Sequence, residues 1–81
     1  MPTVRVLAFA RLREILGESR DISLVEGATL RDLWPALLAV EPRLQGLESG
    51  MRFACNQRLC NEERRLADGD EIALLPPFGG G

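Results

Sequence analysis

The sequence has 81 residues, of which 46% are hydrophobic and 27% charged, and its formal net charge is −2. A chain of this length forms one domain with a modest core, because it buries only about 60 to 65% of its unfolded surface, and the composition excludes wholesale disorder. It contains no histidine, lysine or tyrosine, which removes most proton-transfer and Schiff-base chemistry, so we expect no catalytic residues of its own.

Charge and hydropathy also limit the partners. A net charge of −2 gives no overall attraction to nucleic acid. No apolar run reaches the roughly 20 residues needed to cross a bilayer, and the N-terminus lacks the pattern of a signal peptide. We therefore expect a cytoplasmic protein with no nucleic-acid and no membrane partner. The spacing of the two cysteines does not indicate a metal site, and no metal is expected.

The first half of the chain alternates between strand and helix patterns. Residues 3–9 predict a strand with two apolar faces, Arg11–Leu16 a short helix that Gly17 ends, and residues 19–25 a second strand.

A longer helix begins at Thr29, whose capping partner is Asp32, and Pro42 ends it. Pro35 inside this helix predicts a kink or a late start. Its apolar stripe has the spacing of one helical face and consists of Leu30, Leu33, Trp34, Leu37 and Leu38.

The second half of the chain predicts short strands joined by turns. Arg52–Cys55 is a strand that turns at Asn56 and Gln57 into a short partner near Leu59 and Cys60. Residues 43–50 and 61–65 are predicted to be irregular. The turn Asp68, Gly69, Asp70 leads into a last strand over Glu71–Leu75.

These elements predict an α+β fold, a mixed sheet on one main helix with the first and last strands central and parallel. One long helix covers only one face of the sheet, so Leu7, Phe9, Ala73 and Leu75 on the other face would meet water. An exposed apolar face indicates a docking surface. The alternative is that the short helix or the long loop folds over it.

Cys55 and Cys60 are five residues apart, and a hairpin with a four-residue loop could place them opposite each other, although a bridge would still need suitable Cβ geometry. In a reducing cytosol we expect two buried thiols rather than a disulfide.

The last residues carry the clearest functional signal. Gly79, Gly80 and Gly81 follow the stiff run Pro76, Pro77, Phe78. Residues without Cβ atoms can enter a slot too narrow for other side chains, so a terminal carboxylate on Gly81 would be reachable inside the active site of another protein. The alternative is a frayed terminus without function.

Three stretches together resemble the MoaD family, the small sulfur-carrying subunits of molybdopterin synthase: residues 9–14, residues 68–71 and the ending 76–81. The resemblance covers essentially the whole chain. It implies a β-grasp, ubiquitin-like fold of about five strands as a single domain over residues 1–81, with a flexible tail at 79–81. It also implies sulfur delivery to a pterin precursor in molybdenum cofactor biosynthesis, in a non-catalytic role.

The resemblance further implies partners and site residues. An E1-like, MoeB-like adenylating enzyme would use ATP to activate Gly81, which then becomes a thiocarboxylate, while this chain itself binds no cofactor. A MoaE-like large subunit would receive the tail, Gly79, Gly80 and Gly81, in its active site. The residues expected to contact that subunit are Phe9, Leu59, Leu75, Pro76 and Phe78.

Two residues depart from the family pattern. Gly79 stands where a residue with a side chain is usual, and Pro35 interrupts the main helix. Three other functions stay open on the sequence: a ubiquitin-like modifier joined through Gly81 to lysines of other proteins, a sulfur carrier for another pathway such as thiamine synthesis, and a plain interaction module.

Overall fold

The structure is a computed structural model, and it describes residues 1–9 and 11–77. The secondary-structure elements in chain order are β1 Thr3–Leu7, α1 Arg11–Leu16, β2 Ser19–Ser23, α2 Leu30–Val40, a 3₁₀ turn at Pro42–Leu44, β3 Arg52–Cys55, β4 Arg58–Leu59 and β5 Glu71–Leu75. The helix and strand order matches the predicted one.

The strands form one five-stranded sheet in the order β2-β1-β5-β3-β4. β1 and β5 are parallel neighbours, with Val6 beside Ile72, and the other pairs are antiparallel. The prediction of a mixed sheet with its first and last strands parallel and away from the edges is therefore confirmed.

The core lies between the sheet and α2. Strand residues that alternate with period two face it, because successive side chains in a strand point to opposite sides. Val4, Val6, Ile72 and Leu74 are at most 1% exposed. The buried side chains that α2 contributes are those of the predicted stripe, namely Leu30, Leu33, Trp34 and Leu37. Leu38, the fifth predicted residue, is partly buried against the same core.

Helix α2 begins where its cap predicts. The Asp32 carboxylate accepts a hydrogen bond from the Thr29 backbone N–H at 2.8 Å. The N–H groups of Leu30 and Arg31 donate to carbonyls of the segment 61–65, so the free donors of the first turn have partners. The predicted late start at Pro35 is wrong, because these bonds hold the first turn in place; Pro35 lies inside the helix on its exposed side.

Two strands are shorter than predicted. β1 ends at Leu7 rather than residue 9, and β2 ends at Ser23 rather than residue 25. The cause lies in their pairing: the β1–β2 ladder runs only from Thr3–Ser23 to Leu7–Ser19. Beyond that pair the ladder is not continued, and the N–H of Ala8 donates a hydrogen bond to the carbonyl of Glu18 in a loop.

The short helix and the long loop pack toward the core rather than over the other face of the sheet. Leu12 and Leu16 of α1, and Leu44 of the 3₁₀ turn, all belong to the buried core cluster. The alternative in which these segments cover the outer apolar residues is therefore not what the structure shows. Within the described residues, no helix combines the length and hydropathy that a membrane crossing needs.

Candidate partner-docking site

The face of the sheet opposite α2 carries a continuous apolar row. Strand register places Leu7 beside Ala73, Ala73 beside Ala54, and Ala54 beside Leu59. These four side chains share one face because directly paired residues in a sheet point the same way. The row crosses four strands, and together with Phe9 and Leu75 we call it the outer apolar face.

Phe9 and Leu75 extend this row toward the end of β5. Leu75 is two residues beyond Ala73 on β5, so its side chain continues the apolar side, and Phe9 follows two residues after the end of β1 at the same end of the parallel pair. Phe9 is 43% exposed and Leu59 65% exposed, whereas Leu75 is partly buried. Of the five residues predicted to contact a partner, Leu59 and Leu75 therefore lie on one face of the sheet, and Phe9 is exposed at the end of that face.

The other end of the same face is polar. Arg5 pairs with Asp21 on β2 and with Glu71 on β5, and its Nε lies 3.4 Å from Asp21 Oδ1. The face thus changes from charged to apolar along β1 and β5. Since β5 leads directly into Pro76, the apolar end is the one from which the tail departs.

A groove beside Leu59 lies at the β3–β4 side of the sheet, where Met51, Phe53 and Cys60 pack toward the core. Its volume is about 360 Å³, and its apolar lining includes Met51, Phe53, Leu59 and Cys60. Such a groove can receive a side chain of a partner next to the exposed Leu59.

The strand ladder stops where the prolines begin. Leu75 is the last residue of β5, and Pro76 and Pro77 have no N–H to continue the hydrogen bonding. Pro76 is partly buried and Pro77 is exposed. Predictions for Phe78, Gly79, Gly80 and Gly81 concern residues outside the described part of the chain, and they stay predictions.

A polar network holds the hairpin that carries Leu59 against the turn before β5. Asn56 donates from Nδ2 to Asp70 at 3.0 Å, and its Oδ1 accepts from the Glu71 N–H at 3.0 Å. Asp70 also accepts from the Ala67 N–H at 2.8 Å and from Arg64 at 3.0 Å. Two segments noted in the sequence, the Asn56 turn and the 68–71 turn, are thus parts of one contact.

These donors decide the charge state of Asp70. Burial by itself raises the pKa of this carboxyl, but hydrogen bonds from Ala67, Asn56 and Arg64, with the positive charge of Arg64, bring the pKa below its ordinary value. Asp70 is therefore an ionised anchor. It holds the hairpin that carries Leu59 at a fixed position. Because it is ionised, it is not a proton donor.

The hairpin itself contains the two cysteines, and here the expectation of two free thiols is wrong. Asn56 and Gln57 both have positive φ angles, 52° and 74°, which suits a two-residue turn. This tight turn sets the Cα atoms of Cys55 and Cys60 6.2 Å apart, and the structure joins them as a disulfide. The distance lies in the range that a disulfide spans without moving the backbone.

Sequence reasoning missed two parts of the site. Ala54 completes the row between Ala73 and Leu59, and its place follows from the alternation with Phe53 and Cys55, which is a usable signal. The bond between Asn56 and Asp70 left no such signal, because it depends on strand register between distant segments. Within residues 1–9 and 11–77, no group of three or more potential metal-ligating side chains is present.

Comparison with known proteins decides the family. A family model described as the ThiS family matches residues 6–81. The chain belongs to the ThiS family. Among curated ThiS-like relatives, the molybdopterin synthase sulfur carrier subunit of Chlamydomonas reinhardtii is 36% identical over 96% of this chain and 98% of the relative. The protein of the same name from Escherichia coli is 35% identical over 96% and 99% of the two chains. The resemblance to the MoaD family is thereby confirmed.

Solved structures agree on the fold of this ThiS-family chain. SAMP1 of Haloferax volcanii matches with a TM-score of 0.83 and 27% identity over 98% of this chain and 99% of that one. A chain of the complex of subunits 1 and 2 of the molybdopterin-converting factor from Helicobacter pylori matches with a TM-score of 0.69 and 32% identity over 98% of this chain and 99% of that one. Caldiarchaeum subterraneum ubiquitin matches with a TM-score of 0.67 over 99% and 98% at 16% identity. The predicted α+β, ubiquitin-like β-grasp fold is confirmed.

Proposed function

We propose that this chain is the sulfur carrier subunit of a molybdopterin synthase and acts in molybdenum cofactor biosynthesis, in the cytoplasm. The observation that carries the proposal is the identity of 36% with such a subunit over nearly the full length of both chains. The family match also extends to Gly81, the residue to which we assign the chemistry.

The carrier role needs an activated Gly81. A carboxylate is a poor acyl donor, so an E1-like, MoeB-like partner would join it to AMP from ATP and release pyrophosphate. Hydrosulfide then attacks the acyl carbon, and AMP leaves with one of the former carboxylate oxygens. The product is a thiocarboxylate in which one oxygen has been replaced by sulfur, and the ATP is held by the partner rather than by this chain.

Docking would then occur through the outer apolar face. The H. pylori relative was solved as a complex of its subunits 1 and 2, which supports a MoaE-like large subunit as the partner here. Phe9, Leu59 and Leu75 would pack on that subunit, with Pro76 and Phe78 at the start of the tail. The tail leaves from the apolar end of this face, after β5. Docking of that end would therefore direct Gly79, Gly80 and Gly81 into the partner's active site.

Intact mass spectrometry tests the acyl chemistry directly. Incubation with a MoeB-like enzyme, ATP and a sulfur donor should add about 16 Da to the chain, and a reaction without ATP should add nothing. A variant extended by one tryptophan after Gly81 is the matched control and should also gain nothing. No mass change in the wild type with an enzyme that loads a related carrier would contradict the proposal.

A second candidate is a ubiquitin-like protein modifier, and the observation behind it is the similarity in fold to SAMP1, whose name is small archaeal modifier protein 1. The two functions differ in the acceptor: sulfur in the first and an amine of another protein in the second. This chain has no lysine, so lysine-linked chains of it cannot form. Adducts of higher mass in a cell lysate that disappear when Gly81 is deleted would indicate the modifier role.

A further inference from the structure

Gly50 lies opposite Pro77, at the place where the chain leaves the sheet. The antiparallel β3–β5 register pairs Arg52 with Leu75. Counting two residues back from Arg52 and two forward from Leu75 places Gly50 beside Pro77. A Cβ atom added to Gly50 would lie 2.9 Å from Pro77 Cγ and 3.0 Å from Pro77 Cβ. Real Cβ atoms do not approach other carbons so closely, so any side chain at position 50 would displace Pro77.

The backbone of Gly50 imposes a second, separate constraint. Its φ is +76°, and the N–H of Met51 donates to the carbonyl of Glu48 at 3.0 Å. This is a four-residue turn whose third residue needs positive φ, the position that glycine fills without steric cost. The turn brings the Gly50 backbone against Pro77 just before β3 begins.

Pro77 cannot yield to a larger neighbour by changing rotamer. Its ring is closed onto the backbone and fixes its φ, so pressure from position 50 has to move the main chain at Pro77. Whatever moves that main chain also changes the direction in which the following residues depart.

We propose that Gly50 is a positioning residue for sulfur transfer: its bare backbone forms a seat for Pro77 that sets the exit direction of the tail. The inference rests on the proposed function, since it assigns a role to Gly50 in delivering Gly81 to the partner. Seating Pro77 before docking reduces the conformational freedom that the tail loses on insertion. The seat is separate from Leu59 and Leu75 of the outer apolar face, so it acts on the direction of the tail and not on the packing of those side chains against the partner.

Gly46 provides a matched control. It has a φ of +87°, close to that of Gly50, but a Cβ added there meets nothing within 4 Å. Gly46→Ala and Gly50→Ala therefore introduce the same kind of backbone strain, and only Gly50→Ala also presses on Pro77.

The test is single-turnover sulfur transfer from thiocarboxylated carrier to precursor in the large subunit, with docking affinity measured separately. Gly50→Ala should lower the transfer rate at saturating large subunit by about 10-fold or more, as expected for a misplaced reacting group; measuring at saturation separates this loss from any change in the dissociation constant. Gly46→Ala should change neither. In a Pro77→Gly background, Gly50→Ala should have no further effect, because the contact is already lost.

Equal rates for Gly50→Ala and Gly46→Ala would overturn the inference, as would an undiminished effect of Gly50→Ala in the Pro77→Gly background. NMR gives a readout that needs neither activity nor a variant: the wild type should show a nuclear Overhauser effect between the Gly50 Hα and Pro77 ring protons. Its absence would also refute the seat. If the contact is present but the wild type transfers no sulfur, the proposed function fails and the seat stands.

Discussion

Leu74 and Leu75 are adjacent on β5, yet their side chains belong to two different faces of the sheet. Leu74 is completely buried against the core, whereas Leu75 is partly buried and lies on the outer apolar face with Ala73. On β1, Val6 is buried and Leu7 is only partly so. The inner face is therefore closed by α2, and the outer face keeps apolar area in contact with water.

This difference separates two uses of the same residue type. Apolar area removed from water on folding stabilises the domain, while apolar area left exposed is available to a partner. The outer face combines a continuous apolar row with the exposed side chains of Phe9 and Leu59, which makes it the candidate binding surface of the domain. If so, substitutions on the two faces should affect different measurements.

The largest expected effect is on the inner face. Leu74→Ala should lower the free energy of unfolding by about 2 to 5 kcal/mol, because it leaves a cavity in a packed core. Leu75→Ala, the matched change one residue along, should lower it by about 1 kcal/mol or less, since part of that side chain already meets solvent. Urea unfolding at neutral pH measures both. Equal losses would mean that the two faces do not differ as described.

A smaller effect is expected on binding. Leu59→Ala should weaken docking to the large subunit by about tenfold, an effect reached by the minority of interface residues that carry most of the binding energy. Val25→Ala is the matched control, because Val25 is also 65% exposed but lies in the connection between β2 and α2, away from the outer apolar face. Isothermal titration calorimetry measures both dissociation constants. Similar values for the two variants would remove the outer face from the interface.

Much of this two-faced sheet follows from the sequence alone. Strand alternation has a period of two, so Ile72 and Leu74 on one side and Ala73 and Leu75 on the other can be assigned without a structure. The turn at Asn56 and Gln57 is also predictable, as is the start of α2 at Thr29, because each depends on a few neighbouring residues.

Other features depend on neighbours that the sequence does not bring together. β1 stops at Leu7 because its ladder with β2 stops there, although the apolar pattern continues to Phe9. The bond from Asn56 to Asp70 joins residues 14 positions apart and needs the register of β3 against β5. The prediction of two thiols at Cys55 and Cys60 assumed a reducing compartment. It is wrong because the turn brings the two Cα atoms within the range of a disulfide, and that turn geometry was not part of the prediction.

The Gly50 seat belongs to the same class. A glycine before a strand is common, and its own neighbours indicate only a turn. Its contact with Pro77 follows from extending the β3–β5 register by two residues, which requires knowing that these strands pair. The part of the site most visible in the sequence, the ending Gly79 to Gly81, is in contrast the part whose chemistry rests on the comparison with relatives.

The smallest predicted effect concerns Asp70, which holds the hairpin that carries Leu59. The pKa of Asp70 lies below its ordinary value of 3.8, so ionised Asp70 stabilises the fold above about pH 4, and that contribution is lost as the pH falls through the folded pKa. Asp70→Asn should therefore lower the free energy of unfolding by about 1 kcal/mol at pH 7. The difference from the wild type should shrink at pH 3.

Asp21→Asn separates this anchor from an ordinary surface ion pair. Asp21 is 59% exposed in its pair with Arg5, and such pairs contribute little, so its loss should change the free energy of unfolding by less than about 0.5 kcal/mol at either pH. Urea unfolding at pH 7 and pH 3 measures all three proteins. A difference between wild type and Asp70→Asn that stays constant or grows toward pH 3 would contradict the charged state of Asp70. Because Asp70 holds Asn56, weaker docking in Asp70→Asn at pH 7, with Asp21→Asn unaffected, would tie the network to the position of Leu59.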